Sequence, residues 1–111
     1  PDTPCLLLTT TGRHSGEART MPLIYGAAGR AYVIIGSKGG ASTQPAWYHN
    51  LCANPRVELQ VGTQSLSAEA RIASGDERAR LWQTMVDVYP PYADYQRKTS
   101  REIPVVVLEP V

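Results

Sequence analysis

Phenylalanine is absent from this 111-residue chain, and cysteine, methionine and tryptophan occur twice each. Two cysteines, Cys5 and Cys52, are too few for a disulfide framework, and their separation does not match a metal knuckle. No apolar run approaches the ~20 residues of a membrane span. No G-x-S-x-G elbow occurs, which removes a common serine-hydrolase arrangement. No set of three or four His, Cys, Asp or Glu has ligand spacing, so no metal site is expected. His14 and His49 read as surface residues rather than ligands. Charged residues make up 19% with a net charge of +1, which argues against a nucleic-acid partner. No signal peptide opens the chain. It begins with Pro1 rather than Met, which reads as an N-terminal segment missing from the sequence. The length suits one domain, residues 1–111, with one core.

The rest of the composition is that of a globular protein, 42% hydrophobic. Residues 5–11 (CLLLTTT) read as a strand that ends at Gly12. Residues 19–27 read as a second strand, with Pro22 suggesting an edge or a bulge. Ala28-Gly29 reads as a hairpin turn into a third strand, residues 31–36. Pro45 can open a short helix over 45–53, stopped by Asn54-Pro55. Residues 56–61 and 65–73 alternate apolar and polar, the pattern of half-buried strands. Ser74 and Glu77 form a capping-box pattern before a helix that carries Leu81, Trp82, Met85, Val86 and Tyr89 at helical spacing. Pro90-Pro91 ends it, and residues 92–99 add one or two helical turns. Residues 103–108 (IPVVVL) read as a buried strand. The total is about six strands with one good helix and one short one, a mainly β (α+β) chain favouring a small antiparallel barrel.

Charge is uneven along the chain. Residues 1–56 hold five Lys/Arg against two Asp/Glu, and residues 57–111 hold six against eight. The basic half contains two glycine loops, Gly12-Arg13-His14-Ser15-Gly16 and Ser37-Lys38-Gly39-Gly40. Each fits either a plain turn or an anion-binding nest of backbone N–H groups. With Arg19 just beyond the first loop, Arg13, His14, Arg19 and Lys38 suit a phosphate or polycarboxylate. Six tyrosines stand in for the missing phenylalanine, and Tyr89, Tyr92 and Tyr95 recur at helical spacing. They read either as a packed helix end or as a cavity wall, apolar yet able to donate hydrogen bonds. Trp47-Tyr48 are either core anchors or a platform under a flat ring.

The motifs L-L-T-T-T-G-R-H-S-G-x-x-R-x-x-P-L, S-K-G-G-A, P-A-W-Y-H-N-L-x-A-N-P-x-V, Y-P-P-Y-A-D-Y and I-P-V-V-V-L-E-P follow in this order from Cys5 to Pro110. Together they resemble the deazaflavin-dependent nitroreductase family of actinobacteria. The resemblance implies a split β-barrel of the flavin-reductase or FMN-binding type. It also implies the cofactor coenzyme F-420, an 8-hydroxy-5-deazaflavin. The implied activity is hydride transfer from the reduced cofactor to a quinone, an activated C=C bond or a nitro-aromatic.

Residue by residue, Arg13, His14 and Ser15 match the family's first cofactor loop. Arg19, Thr20, Met21, Pro22, Leu23 and Ile24 match the strand along the cofactor. Ile35, Gly36, Ser37 and Lys38 match the segment under the ring and its tail. Ala46, Trp47, Tyr48, His49 and Asn50 match the helix beside the ring. Tyr92, then Tyr89, Tyr95 and Ser37, are the implied catalytic groups on the acceptor side. His14 stands where Lys is common and offers a weaker cation, and Ile24 stands where some members carry an aromatic residue. FMN is the alternative cofactor, and a carrier that binds the deazaflavin without turnover is the non-enzyme alternative. The expected partner is a small-molecule electron acceptor, with a homodimer and a membrane-associating N-terminal helix left open. The expected location is the cytoplasm, at most peripheral to the inner face of the membrane.

Overall fold

The computed structural model describes residues 3–111. Its strands are β1 (Cys5–Thr11), β2 (Ala18–Ile24), β3 (Gly26–Ala28), β4 (Ala31–Ile35), β5 (Arg56–Val61), β6 (Gln64–Ile72) and β7 (Val105–Pro110). Helix α1 (Ala46–Ala53) precedes β5, while α2 (Gly75–Val88) and α3 (Pro91–Arg97) lie between β6 and β7. The seven strands form one antiparallel sheet in the order β2-β1-β5-β6-β7-β4-β3.

This order dictates the shape. β2 and β3 are separated by Tyr25 alone, yet they stand at opposite ends of the sheet. The sheet must therefore curl until its two ends approach, giving a half-barrel. The expected single strand over 19–27 is accordingly two. The chain breaks at Tyr25, whose N–H donates to Pro4 O at 3.1 Å, and it changes partner from β1 to β4. Pro22 lies on β2 at an end of the sheet, where a proline is tolerated.

Patterning explains which strands lie where. β5 alternates and buries Val57 and Leu59 on one face only. β4, and β7 through Leu108, are continuous apolar runs because both of their faces are covered there. Ile34, Val106 and Leu108 point into the barrel with Leu6, Leu8 and α1's Trp47 and Leu51. Val33, Ile35, Val105 and Val107 point the other way, against Leu81, Met85 and Tyr92 of α2 and α3.

The capping box does not form. Ser74 occupies the N-cap of α2, but its side chain makes no cap hydrogen bond. Glu77 instead accepts from Arg71 at 2.6 and 2.8 Å, and Arg71 also donates to Glu109 at 2.7 Å. A bidentate charge-assisted pair outcompetes a neutral cap. The hairpin turn sits one residue later than expected, at Gly29-Arg30.

Truncating the barrel interior is expected to be costly. Ile34→Ala should lower unfolding free energy by about 2–5 kcal/mol. Leu7→Ala, on the outer face of β1, should cost far less. Urea unfolding of both variants checks this, and equal effects would contradict the packing.

Candidate functional site

Two cavities adjoin along β2, sharing Met21 and Trp47. The first, about 380 Å³, is lined by the β1–β2 loop and α1. The second, about 350 Å³, lies between the end of β4, residues 37–39 and the α2–α3 tyrosines. Together they form a two-cavity groove, with Arg13, His14 and Arg19 in the first and Lys38 with the phenols in the second.

The basic end carries Arg13, His14, Ser15, Arg19, Thr20, Ala46 and Asn50. Asn50 is buried and organises it. Its Oδ1 accepts from the Arg13 backbone N–H at 3.1 Å and from Arg13 Nη1 at 3.2 Å, while Nδ2 donates to Thr10 Oγ1 at 3.2 Å. Arg19 lies 3.4 Å from Glu17, with both side chains well exposed, so that pair is weak and exchangeable. Of the two readings of this loop, the plain turn is the nearer, because a nest here is largely closed. The amides of Gly12, Arg13, Gly16 and Glu17 all have partners within the chain, the last of them Ser15 Oγ at 3.1 Å. Among the described residues, only the loop amides of His14 and Ser15 are left for an anion.

The other end carries Pro22, Leu23, Ile24, Ile35, Ser37, Lys38, Tyr89, Tyr92 and Tyr95. Lys38 is the one non-glycine residue with positive φ among those described, at 47°. Such strain persists only where surrounding contacts hold it. Its Nζ reaches Thr43 Oγ1 at 3.2 Å. The three tyrosine rings pack mutually, Tyr89 and Tyr92 edge-to-face with centroids 5.1 Å apart, and Tyr95 at 6.2 and 6.5 Å from them. Tyr92 is 5% exposed, packs in the second core and still lines the cavity. Burial, and then the neighbouring Tyr89, Tyr95 and Cys5, push its phenol well above the usual tyrosine range. It stays a neutral hydrogen-bond donor at every physiological pH.

Three expected site residues lie outside the groove lining. On α1, Trp47, Asn50 and Leu51 face inward, while half-buried Tyr48 packs against the barrel core away from the groove and meets exposed His49 edge-to-face, with centroids 5.6 Å apart. Gly36 is buried behind Ser37, with its N–H on Pro104 O at 3.0 Å. Trp47 proves both core anchor and groove wall. Thr10, Gly12, Gly39 and Pro45 also line the groove, and each lies within one of the motifs quoted above. Among the described residues no metal-holding group of His, Cys, Asp or Glu forms. A larger cleft of about 640 Å³ opens by the β3–β4 turn, but its Arg71, Glu77 and Glu109 pair with one another.

The family described as F-420H(2)-dependent quinone reductase matches residues 1–110. The chain belongs to this family. An F-420H(2)-dependent quinone reductase of Mycobacterium tuberculosis is 46% identical over 108 residues, 95% of this chain and 72% of the relative. The solved structure of an F-420-H2-dependent reductase, FDR-A, is 45% identical with a TM-score of 0.89, covering 96% of this chain and 94% of the other. Another solved chain, described as a domain-swapped dimer, is 44% identical with a TM-score of 0.90, covering 98% and 82%. The half-barrel is thus the split β-barrel of these reductases. A haem storage protein of Vibrio cholerae shares the fold at 14% identity and a TM-score of 0.75, covering 99% of this chain and 83% of the other.

Two outcomes follow for this quinone reductase family member. Asn50→Ala leaves the Arg13 amide unpaired and should cost about 1–3 kcal/mol. Amide exchange at Arg13 should accelerate, and unchanged exchange would remove Asn50 as organiser of the loop. Tyr92 should ionise later than free tyrosine, whose pKa is ~10. Because its folded value is raised, stability holds below ~10 and falls as pH climbs above that. An absorbance titration of phenolate, wild type minus Tyr92→Phe, checks this. A difference centred at the free-tyrosine value would contradict it.

Proposed function

We propose that this protein is a reductase that passes a hydride from reduced coenzyme F-420 to a quinone-type acceptor, with the two-cavity groove as its site. The adjacency of the two cavities carries the reading: an anion-attracting cavity adjoins a phenol-lined one at Met21 and Trp47. The residues present fit the cofactor. Its anionic tail suits Arg13, His14, Arg19 and Lys38, and its flat ring suits a wall of Met21, Pro22, Ile24, Ile35 and Trp47. FMN, with one phosphate, needs fewer cations. When bound, the deazaflavin supplies the hydride and thus the redox chemistry.

The chain's own part is positioning the acceptor and donating a hydrogen bond to it. The tyrosine wall excludes water and presents a flat acceptor to the ring side, so proximity does much of the work. A quinone that gains a hydride must also gain a proton to become the hydroquinone. The Tyr92 phenol, held neutral by burial, donates a hydrogen bond to the acceptor oxygen, with Tyr89, Tyr95 and Ser37 beside it. Raised so high, Tyr92 is better suited to orient the acceptor than to release its own proton outright, and solvent then completes protonation. The reading includes one domain over residues 1–111, a homodimer like the relative's, and a cytoplasmic setting, which two unpaired cysteines suit. Among the described residues no helix is long and apolar enough to cross a membrane.

A fluorescence titration with oxidised coenzyme F-420, run beside FMN, tests the site. Saturable binding of the deazaflavin, weakened by salt and by Lys38→Ala or Arg19→Ala, is the expected result. Tyr92→Phe should keep cofactor affinity and lose about tenfold or more in quinone turnover, the scale for one hydrogen bond in a water-excluded site. Preference for FMN would overturn the cofactor, and full activity of Tyr92→Phe would remove Tyr92 from the mechanism.

A further inference from the structure

Arg101 lies outside every motif named above, in the polar stretch between α3 and β7. Its half-buried guanidinium reaches back more than fifty residues to the loop after β4. Nε donates to Ala41 O at 2.8 Å, and Nη2 to Ser37 O at 2.8 Å. Nη1 donates to Gly36 O at 3.2 Å and to Gln44 Oε1 at 2.7 Å. Three backbone carbonyls and one side-chain amide are thus gathered on a single planar group. No carboxylate among the described residues pairs with it. A surface arginine in a solvated stretch has no need of such a set of partners.

The acceptors are consecutive with the groove wall. Ser37 and Lys38 line the phenol-rich cavity, and Lys38 holds its left-handed φ directly after two of the four anchored groups. The other wall is tied to the same arginine. Gln96 of α3 donates Nε2 to Arg101 O at 2.8 Å and accepts the Ile103 N–H at 2.9 Å. Gly40, at φ 84°, sits so close to α3 that an added Cβ would lie 2.8 Å from Tyr95 O. The loop and the tyrosine helix are therefore fixed against each other at two points.

We propose that Arg101 is the positioning residue of this cavity: its guanidinium sets Ser37 and Lys38 at a fixed spacing from the α3 tyrosines. This rests on the groove's being the cofactor and acceptor site. A lysine would keep the charge but lose the planar fork that meets several acceptors at once. Geometry rather than charge is the quantity Arg101 supplies.

The test compares wild type, Arg101→Lys and Arg101→Ala by three readouts. These are affinity for oxidised coenzyme F-420, melting temperature, and amide exchange across residues 36–44. Arg101→Lys should weaken binding about tenfold or more, the scale of lost hydrogen bonds to a charged group. Exchange should accelerate only in residues 36–44, with little change in melting temperature. Millimolar guanidinium should restore binding to Arg101→Ala. Wild-type affinity in Arg101→Lys overturns the proposal alone. So does uniform loosening of the whole barrel without guanidinium rescue, or failure of both variants to fold, since either makes Arg101 a general stability residue. Absence of binding by the wild type overturns the functional reading first, and this proposal with it.

Discussion

Everything near the groove hangs on the pairing of β4 with β7. These two strands are covered on both faces, so they belong to both cores at once. Interiors at crystal-like density transmit displacement rather than absorb it. The groove begins where this pair ends: Ile35 leads to Gly36 and Ser37, and the Gly36 N–H on Pro104 O adds one more bond beyond β4. The loop that carries Lys38 is therefore cantilevered from the most deeply buried part of the molecule. Its origin is fixed by packing, and its far end is free to be shaped by side-chain contacts.

The cations are arranged on a different principle. Arg13 is tethered by a neutral amide, Arg19 by an exposed carboxylate and Lys38 by a hydroxyl. None is locked in a buried ion pair, which would need several kcal/mol to open. Exposed pairs are worth ~0–1 kcal/mol and exchange readily. Such tethers aim the charges while leaving them available to an anion. Contrast Arg71 at the larger cleft, whose bonds to Glu77 and Glu109 satisfy its guanidinium and leave it unavailable to an anion.

Much of this was legible in the residues, and the parts that were not share a cause. The alternation of β5 and the unbroken apolar runs of β4 and β7 carry their burial on their face, because period and hydrophobicity are local properties. The break at Tyr25 is not local: it exists because β2 and β3 pair with strands at opposite ends of the sheet. The Ser74 box is overridden by Arg71, a competitor contributed by the preceding strand. Arg101 reads as one more charge in a polar stretch, and only the folded chain supplies its four acceptors. Tyr48 and His49 differ, since helical spacing from Trp47 to Asn50 and Leu51 already turns them off the groove face.

The tyrosine wall unites the two halves of the problem. A chain without phenylalanine uses Tyr92 as a core residue, packed with Leu81, Met85 and Ile103, and also as a cavity wall. These roles do not compete, because the same burial that contributes to the core keeps the phenol protonated. A carboxylic acid in that place would be charged at neutral pH unless burial raised it by several units, and a histidine could titrate within the working range. A phenol donates a hydrogen bond at all such pH values while its ring packs as phenylalanine would. Removing the hydroxyl alone preserves the ring and the core, so stability and chemistry separate at a single oxygen. At Arg101 they cannot separate so cleanly, because the groups it holds are backbone, and their positions are at once the fold and the site.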